Sequence, residues 1–141
     1  MGAAGADGGR FTLNDLVAEA RSTLVRLTPA ECRAAQRNGA LIIDTRMITD
    51  RERFGTVEDS IHAPRTKLEW IIDPVSGYSD ERIRGFDQHL IVMCDGGFSS
   101  SIAAATLQRL GFANATDMIG GFFAWRDDNL PTVAPTYHCI D

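Results

Sequence analysis

Nowhere in its 141 residues does this chain hold an unbroken run of about 18 apolar side chains, so no segment qualifies as a membrane-spanning helix. Basic charge is also short. The formal net charge is −5, which speaks against nucleic acid and against an anionic membrane surface as partners. The stretch from Met1 to Gly9 has neither the basic nor the apolar region of a secretory signal. Ala6 stands where a myristoylation pattern needs Ser or Thr. Cysteine is scarce: three residues, an odd number without regular spacing, do not make a disulfide framework. No group of His, Cys and Asp has metal-ligand spacing, so neither a metal nor any other cofactor is expected. There is no internal repeat. What remains is one globular domain, with 44% hydrophobic residues to build its core, free thiols and a cytoplasmic location.

The organisation follows from apolar spacing. Residues 1–10 are small and polar and read as a disordered leader. Across 11–24, Phe11, Leu13, Leu16, Val17, Ala20 and Leu24 recur at helical spacing. Val25 to Leu27 reads as a short edge strand. Thr28, Pro29 and Glu31 supply a cap, a first-turn proline and an acidic N3 residue, so a second helix should run to Asn38 and stop at Gly39. Ala40 to Asp44 is a short continuous apolar run, the mark of a strand covered on both faces. Leu90 to Met93 reads as the central strand, Ala115 to Met118 as the last, and Ser60 to His62 as a further short one. Helical turns are expected over Thr49–Phe54, Thr66–Ile72, Ser79–Phe86, Ser100–Leu110 and Gly121–Asp128, with an irregular tail over 134–141. Strands alternating with helices predict an α/β fold, a central, mainly parallel sheet with helices on both faces. Ligands of such sheets sit at the carboxyl ends of the strands.

Cys94 is placed there. The apolar strand ends in this thiol, Gly96 and Gly97 turn the chain, and an alanine-rich helix follows. The two glycines allow backbone conformations closed to other residues, so successive N–H groups can form an anion-binding nest. The helix adds its dipole and its unpaired first-turn amides. The hydroxyls of Ser99, Ser100 and Ser101 are further donors, one of them expected to cap the helix. This predicts an exposed, anionic sulfur, its pKa lowered from the usual ~8.5 toward neutrality. The alternative is a strand-end cysteine that serves only as a small buried hydrophobe.

With these residues in view, the chain resembles a rhodanese-type sulfurtransferase domain over 25–133. Leu41-Ile-Ile-Asp44-Thr-Arg46 resembles the family's early strand ending in Asp-x-Arg. Phe54-Gly55-Thr-Val57 and Ser60-Ile-His-Ala-Pro64 resemble the stretch that usually reads Gly-His-Ile-x-Gly-Ala. Cys94-x-x-Gly97-x-x-Ser100 matches the active-site loop and its helix, and Gly120-Gly121-Phe-Phe-Ala-Trp125 the closing Gly-Gly-x-x-x-Trp signature. The resemblance implies a three-layer rhodanese-like fold and a catalytic Cys94. That residue would take a sulfane sulfur from a small donor such as thiosulfate, hold it as a persulfide, and pass it to a thiol or cyanide acceptor, a protein thiol included. It makes Asp95, Gly96, Gly97, Phe98, Ser99 and Ser100 the substrate-binding loop, through amides and hydroxyls.

This sequence departs from the family pattern in its loop. Members acting on thiosulfate commonly carry arginine two residues after the loop glycine, where this chain has Ser99, and Asp95 adds negative charge. A carboxylate within ~6 Å opposes both a thiolate and an incoming dianion. Weak thiosulfate turnover is therefore expected. Arg65 is a candidate substrate contact. Arg46 is more simply an ion-pair partner of Asp44 or Glu52; Asp44, Arg46 and Trp125 are read as structural support. Related phosphatases close a longer loop with an arginine that clamps phosphate. No arginine lies between Cys94 and Arg109, which argues against phosphate-ester hydrolysis. His62 and His89 are given no role, Trp70 is a rim or core residue, and Cys32 is read as inert. Cys139 is a spectator or, in a redox-sensor alternative, a resolving thiol. A non-catalytic binding or regulatory module also stays open.

Overall fold

The computed structural model describes residues 8–136 of the chain. The first seven residues of the expected leader, and Cys139 with the end of the expected tail, lie outside the described residues. Two helices open the chain, α1 (Leu13–Arg21) and α2 (Pro29–Arg37), each with a reciprocal capping box: Thr12 with Asp15, and Thr28 with Glu31. The Thr12 cap starts α1 two residues later than the apolar spacing suggests. There follow β1 (Leu41–Asp44), α3 (Ile48–Phe54), β2 (Ile61–His62), a 3₁₀ turn (Arg65–Lys67) leading into α4 (Leu68–Ile72), and β3 (Leu90–Met93). The chain continues with α5 (Ser99–Arg109), β4 (Ala115–Asp117) and α6 (Gly121–Asp127).

All strand pairs are parallel, in the order β2-β1-β3-β4. The expected edge strand at Val25–Leu27 is reduced to one bridge, Leu27 to Met118, and Val133 bridges Thr56 antiparallel. The strand period of two divides the core. Ile43, Leu90 and Val92 face α4 and α5 together with Leu68, Ala104 and Leu107. Ile42, Ile91 and Met93 face α2 and α6 together with Cys32, Phe122 and Trp125. A sheet buried on both faces needs apolar side chains at every position, which is why β3 reads Leu-Ile-Val-Met without alternation.

The helix expected over Ser79–Phe86 does not form. Its backbone groups are taken by side chains: Asp80 accepts the Arg82 N–H at 2.9 Å. Gln88 accepts the N–H groups of Arg84 and Gly85 and donates to the Arg82 carbonyl. Such local side-chain bonds compete directly with the helical ladder.

Candidate active site

Cys94 is the first residue past β3, and α5 begins five residues later at Ser99. Its sulfur accepts the N–H of Gly97 at 3.2 Å and of Ser100 at 3.4 Å. The second of these is a first-turn amide of α5, so Sγ stands where a capping oxygen would otherwise be. Phe98 at the N-cap contributes no side-chain cap, and neither does any serine. The expected serine cap is thus replaced: Ser100 and Ser101 both donate their hydroxyls to Asp117 Oδ2, at 2.8 and 2.7 Å.

Burial pushes the Cys94 thiol up; the hydroxyls of Ser100 and Ser99 and the amides of Ser100 and Gly97 pull it down further, leaving it below the ordinary cysteine value. A hydroxyl has one proton, and that of Ser100 goes to Asp117, so the two amides and the Ser99 hydroxyl are the groups left to lower the thiol. The sulfur is less open than the sequence implies. Cys94 is only 7% exposed, because Sγ is wrapped by the turn that supplies its amides.

The two loop glycines differ. Gly97 has φ +85°, and a Cβ there would come within 2.6 Å of the Gly120 nitrogen. Gly96 keeps an ordinary φ, and a Cβ there would meet only the Phe98 ring at 3.7 Å, so the nest needs one glycine and not two. The other wall of the loop is the start of α6, where Phe122 and Phe123 donate their N–H groups to the carbonyls of Cys94 and Asp95 at 2.8 and 3.2 Å. Glycine is required at Gly121 for that approach: a Cβ would sit 2.5 Å from the Cys94 oxygen.

The expected supporting residues lie at the neighbouring strand end. Asp44 Oδ1 accepts the Arg46 N–H and Nε, at 3.1 and 3.0 Å. Its Oδ2 accepts Arg46 Nη2, Arg51 Nε and the Thr56 hydroxyl, at 2.9, 3.0 and 2.7 Å. Burial alone would raise the Asp44 pKa; bonds from Arg46 and Thr56 and the charge of Arg46 hold it below the usual range. The Arg46 guanidinium lies over the Phe122 ring, 3.9 Å from its centre. Trp125 is fully buried beneath the sheet, and its indole N–H donates to the Pro131 carbonyl.

Arg65 is turned along α4 into an ion pair with Glu69, its Nη1 donating to both carboxylate oxygens at 3.1 and 3.0 Å. Asp95 Oδ1 is shut off from solvent and bonded to nothing among the described residues, and burial, then Asp50, raise the Asp95 pKa. His62 meets the Arg46 carbonyl at 2.8 Å, while His89 is exposed at the opposite end of β3. Cys32 is sealed in the core and pushed up to about 12 by burial. Trp70 is exposed. A cavity of about 760 Å³ between Arg51, Ser60 and Arg82 does not include Cys94. No metal-binding group of side chains and no helix long and apolar enough to cross a membrane occurs among the described residues.

Sequence reasoning missed Asp117, Arg21 and Arg26, and it gave Ser101 a capping role instead of its bond to Asp117. One signal was available: an aspartate inside an apolar strand must have a partner. The partner is Arg26, which clasps Asp117 through Nε and Nη2 at 2.8 and 3.2 Å from 91 positions upstream.

Comparison with known proteins agrees with this geometry. The model of the rhodanese-like domain matches residues 28–128. A thiosulfate sulfurtransferase GlpE of Pseudomonas syringae pv. syringae is 31% identical over 103 residues, covering 72% of this chain and 86% of the relative. One from Ectopseudomonas mendocina is 33% identical, covering 74% and 87%. Among solved structures, a protein of unknown function from Rhodopseudomonas palustris, described as a possible tyrosine phosphatase, superposes with TM-score 0.78 at 33% identity, over 86% of this chain and 94% of that one. The polysulfide-sulfur transferase homodimer of Wolinella succinogenes shares the fold at TM-score 0.65 and 23% identity, over 86% and 87% of the two chains. With a parallel sheet wrapped on both faces, a thiol cradled at the end of its central strand and these relatives, the chain belongs to the rhodanese-like domain family.

Proposed function

We propose that the protein is a sulfurtransferase in which Cys94 carries a sulfane sulfur from a small donor to a thiol or cyanide acceptor. The observation that carries this reading is the pair of main-chain amides on Sγ. In the first step the Cys94 thiolate attacks the outer sulfur of the donor. A sulfur–sulfur bond forms on Cys94, the donor's own sulfur bond breaks, and its electron pair leaves with sulfite when the donor is thiosulfate. In the second step an acceptor thiolate or cyanide attacks the terminal sulfur and the Cys94 thiolate departs. Each half-reaction conserves charge, and no outside oxidant is consumed. Amides aimed at Sγ favour the thiolate that attacks in the first step and the same thiolate as the leaving group of the second. The names of the GlpE relatives support thiosulfate as a donor class.

The absence of a cation from Cys94 to Ser99, with Asp95 in the turn, favours donors of low charge over thiosulfate. A phosphatase activity has no counterpart in the loop, which lacks an arginine to clamp phosphate. We further propose a cytoplasmic setting, a reading that the free Cys32 and Cys94 thiols support.

The test is mass spectrometry after incubation with thiosulfate, mercaptopyruvate and a polysulfide. The expected result is a mass gain of one sulfur atom on the Cys94 peptide, lost on adding cyanide and absent from Cys94→Ser. No gain with any donor would refute the proposal. Together with an alkylation midpoint at or above the ordinary ~8.5, it would leave a binding module instead.

A further inference from the structure

Two arginines reach the active-site loop from behind, and both precede the span that the family model covers. The Gly97 carbonyl accepts Arg21 Nη2 at 2.8 Å and Arg26 Nη2 at 2.9 Å. Arg21 Nε also donates to the Ser101 hydroxyl at 3.0 Å, which in turn donates a hydrogen bond to Asp117 Oδ2. Arg26 pairs with Asp117, and the Arg21 guanidinium lies 5.3 Å from the centre of the Phe98 ring. Two guanidiniums against one carboxylate leave one net positive charge in this cluster.

The position of that charge matters because of peptide geometry. In a trans peptide the C=O of one residue and the N–H of the next point in opposite directions, and no peptide of the described chain is cis. With the Gly97 oxygen fixed on the guanidiniums, the Phe98 N–H faces away from them. In sequence it lies between the two residues whose amides meet Sγ, and it has no acceptor of its own among the described residues. Charge-assisted bonds to the carbonyl also polarise that peptide and strengthen its N–H as a donor.

Building on the sulfurtransferase reading, we propose that Arg21 and Arg26 are positioning residues that act through the Gly97 carbonyl. They hold the Gly97–Phe98 peptide so that its N–H meets the outer sulfur of the persulfide, and they stand in for the cation that the loop lacks. The segment that carries them is fastened separately. Leu27 bonds both Asp117 and Ile119 through its backbone, Thr116 donates to the Val25 carbonyl, and Gln108 to that of Thr23. Loss of the Arg21 side chain should therefore not release α1. The other charged groups around the loop are Asp95 itself, the Asp44–Arg46 pair at the end of β1, and Asp50 of α3. None of these changes in the test below.

The experiment compares the full chain with Arg21→Met and Arg21→Lys. Iodoacetamide alkylation of the Cys94 peptide is followed against pH by mass spectrometry, with thermal unfolding alongside. Arg21→Met is expected to raise the midpoint by about 0.5, which is about threefold less thiolate at a fixed lower pH. Arg21→Lys is expected to recover at least half of that rise. Should Arg21→Met not accumulate as folded protein, Arg21→Leu makes the same comparison, neutral and unable to bond the Gly97 carbonyl. A midpoint unchanged from wild type, whatever happens to the melting temperature, would reduce Arg21 to a structural role and overturn the proposal. The profile needs no sulfur transfer, so it reads the clamp even if Cys94 takes up no sulfur. Equal midpoints with equal persulfide formation would remove the clamp and leave the sulfurtransferase intact.

Discussion

Two acidic groups end neighbouring parallel strands, one register step apart: Asp44 closes β1 opposite Met93, and Cys94 follows directly. They are solvated by opposite means. Asp44 takes five hydrogen bonds, four of them from the side chains of Arg46, Arg51 and Thr56. Cys94 takes two, both from main-chain amides. A carboxylate so fully engaged has nothing left to offer a ligand, and its work is to lock the loop after β1. A sulfur held by two long, neutral bonds is stabilised as an anion while keeping a lone pair for reaction. Position at a strand's carboxyl end does not distinguish a functional group from a structural one here; the number and kind of its donors does.

The sharpest way to break the contrast is Asp44→Asn. It leaves the Arg46 and Arg51 guanidiniums buried without their counter-charge, and the expected loss is about 3–5 kcal/mol, read as a lower urea midpoint. The same pair sets an acid limit. Because the folded-state pKa of Asp44 is depressed, its stabilisation is complete above the unfolded value of about 3.9 and fades as pH falls through the lower folded value. Acid unfolding of wild type should steepen in that range, and the Asp44→Asn variant should lack this component.

Next in size is Gly97→Ala. Strain at φ +85° is expected to cost about 1–3 kcal/mol, and the clash with Gly120 adds to it. The Cys94 alkylation midpoint should rise with it, as the amide moves off Sγ. Gly96→Ala, where the backbone is ordinary, should change neither quantity; equal effects at both glycines would contradict the one-glycine cradle. The smallest effect is expected at Asp95→Asn. Removing this carboxylate should raise kcat/KM for thiosulfate by about threefold and leave an uncharged persulfide donor unaffected. An equal gain for both donors would show that Asp95 acts on the thiol and not on the incoming dianion.

The sheet and the loop could be read from the sequence because their causes are local. β1 and β3 are unbroken apolar runs, Thr28-Pro29-Ala30-Glu31 is a complete cap, and Cys94 to Ser100 fits between strand and helix. The failures share a different origin. Ser79–Phe86 has helical spacing, but Asp80 and Gln88 compete for its backbone. The serines after the loop look like caps, yet their hydroxyls are drawn to Asp117 across the α5–β4 contact. The Arg21–Gly97 bond spans 76 positions, and only the docking of α1 on α5 brings its ends together.

The close fit between Gly121 and the Cys94 carbonyl bears on how this site could change over evolutionary time. A wall of α6 that tolerates no methyl group leaves no slack to absorb an inserted residue in the turn opposite it. Lengthening that turn would require the Met118–Gly121 bend to be rebuilt in the same step. A wider, arginine-closed ring suited to larger oxyanions is therefore at least two coordinated changes away, and single insertions should yield misfolded chains before they yield new chemistry.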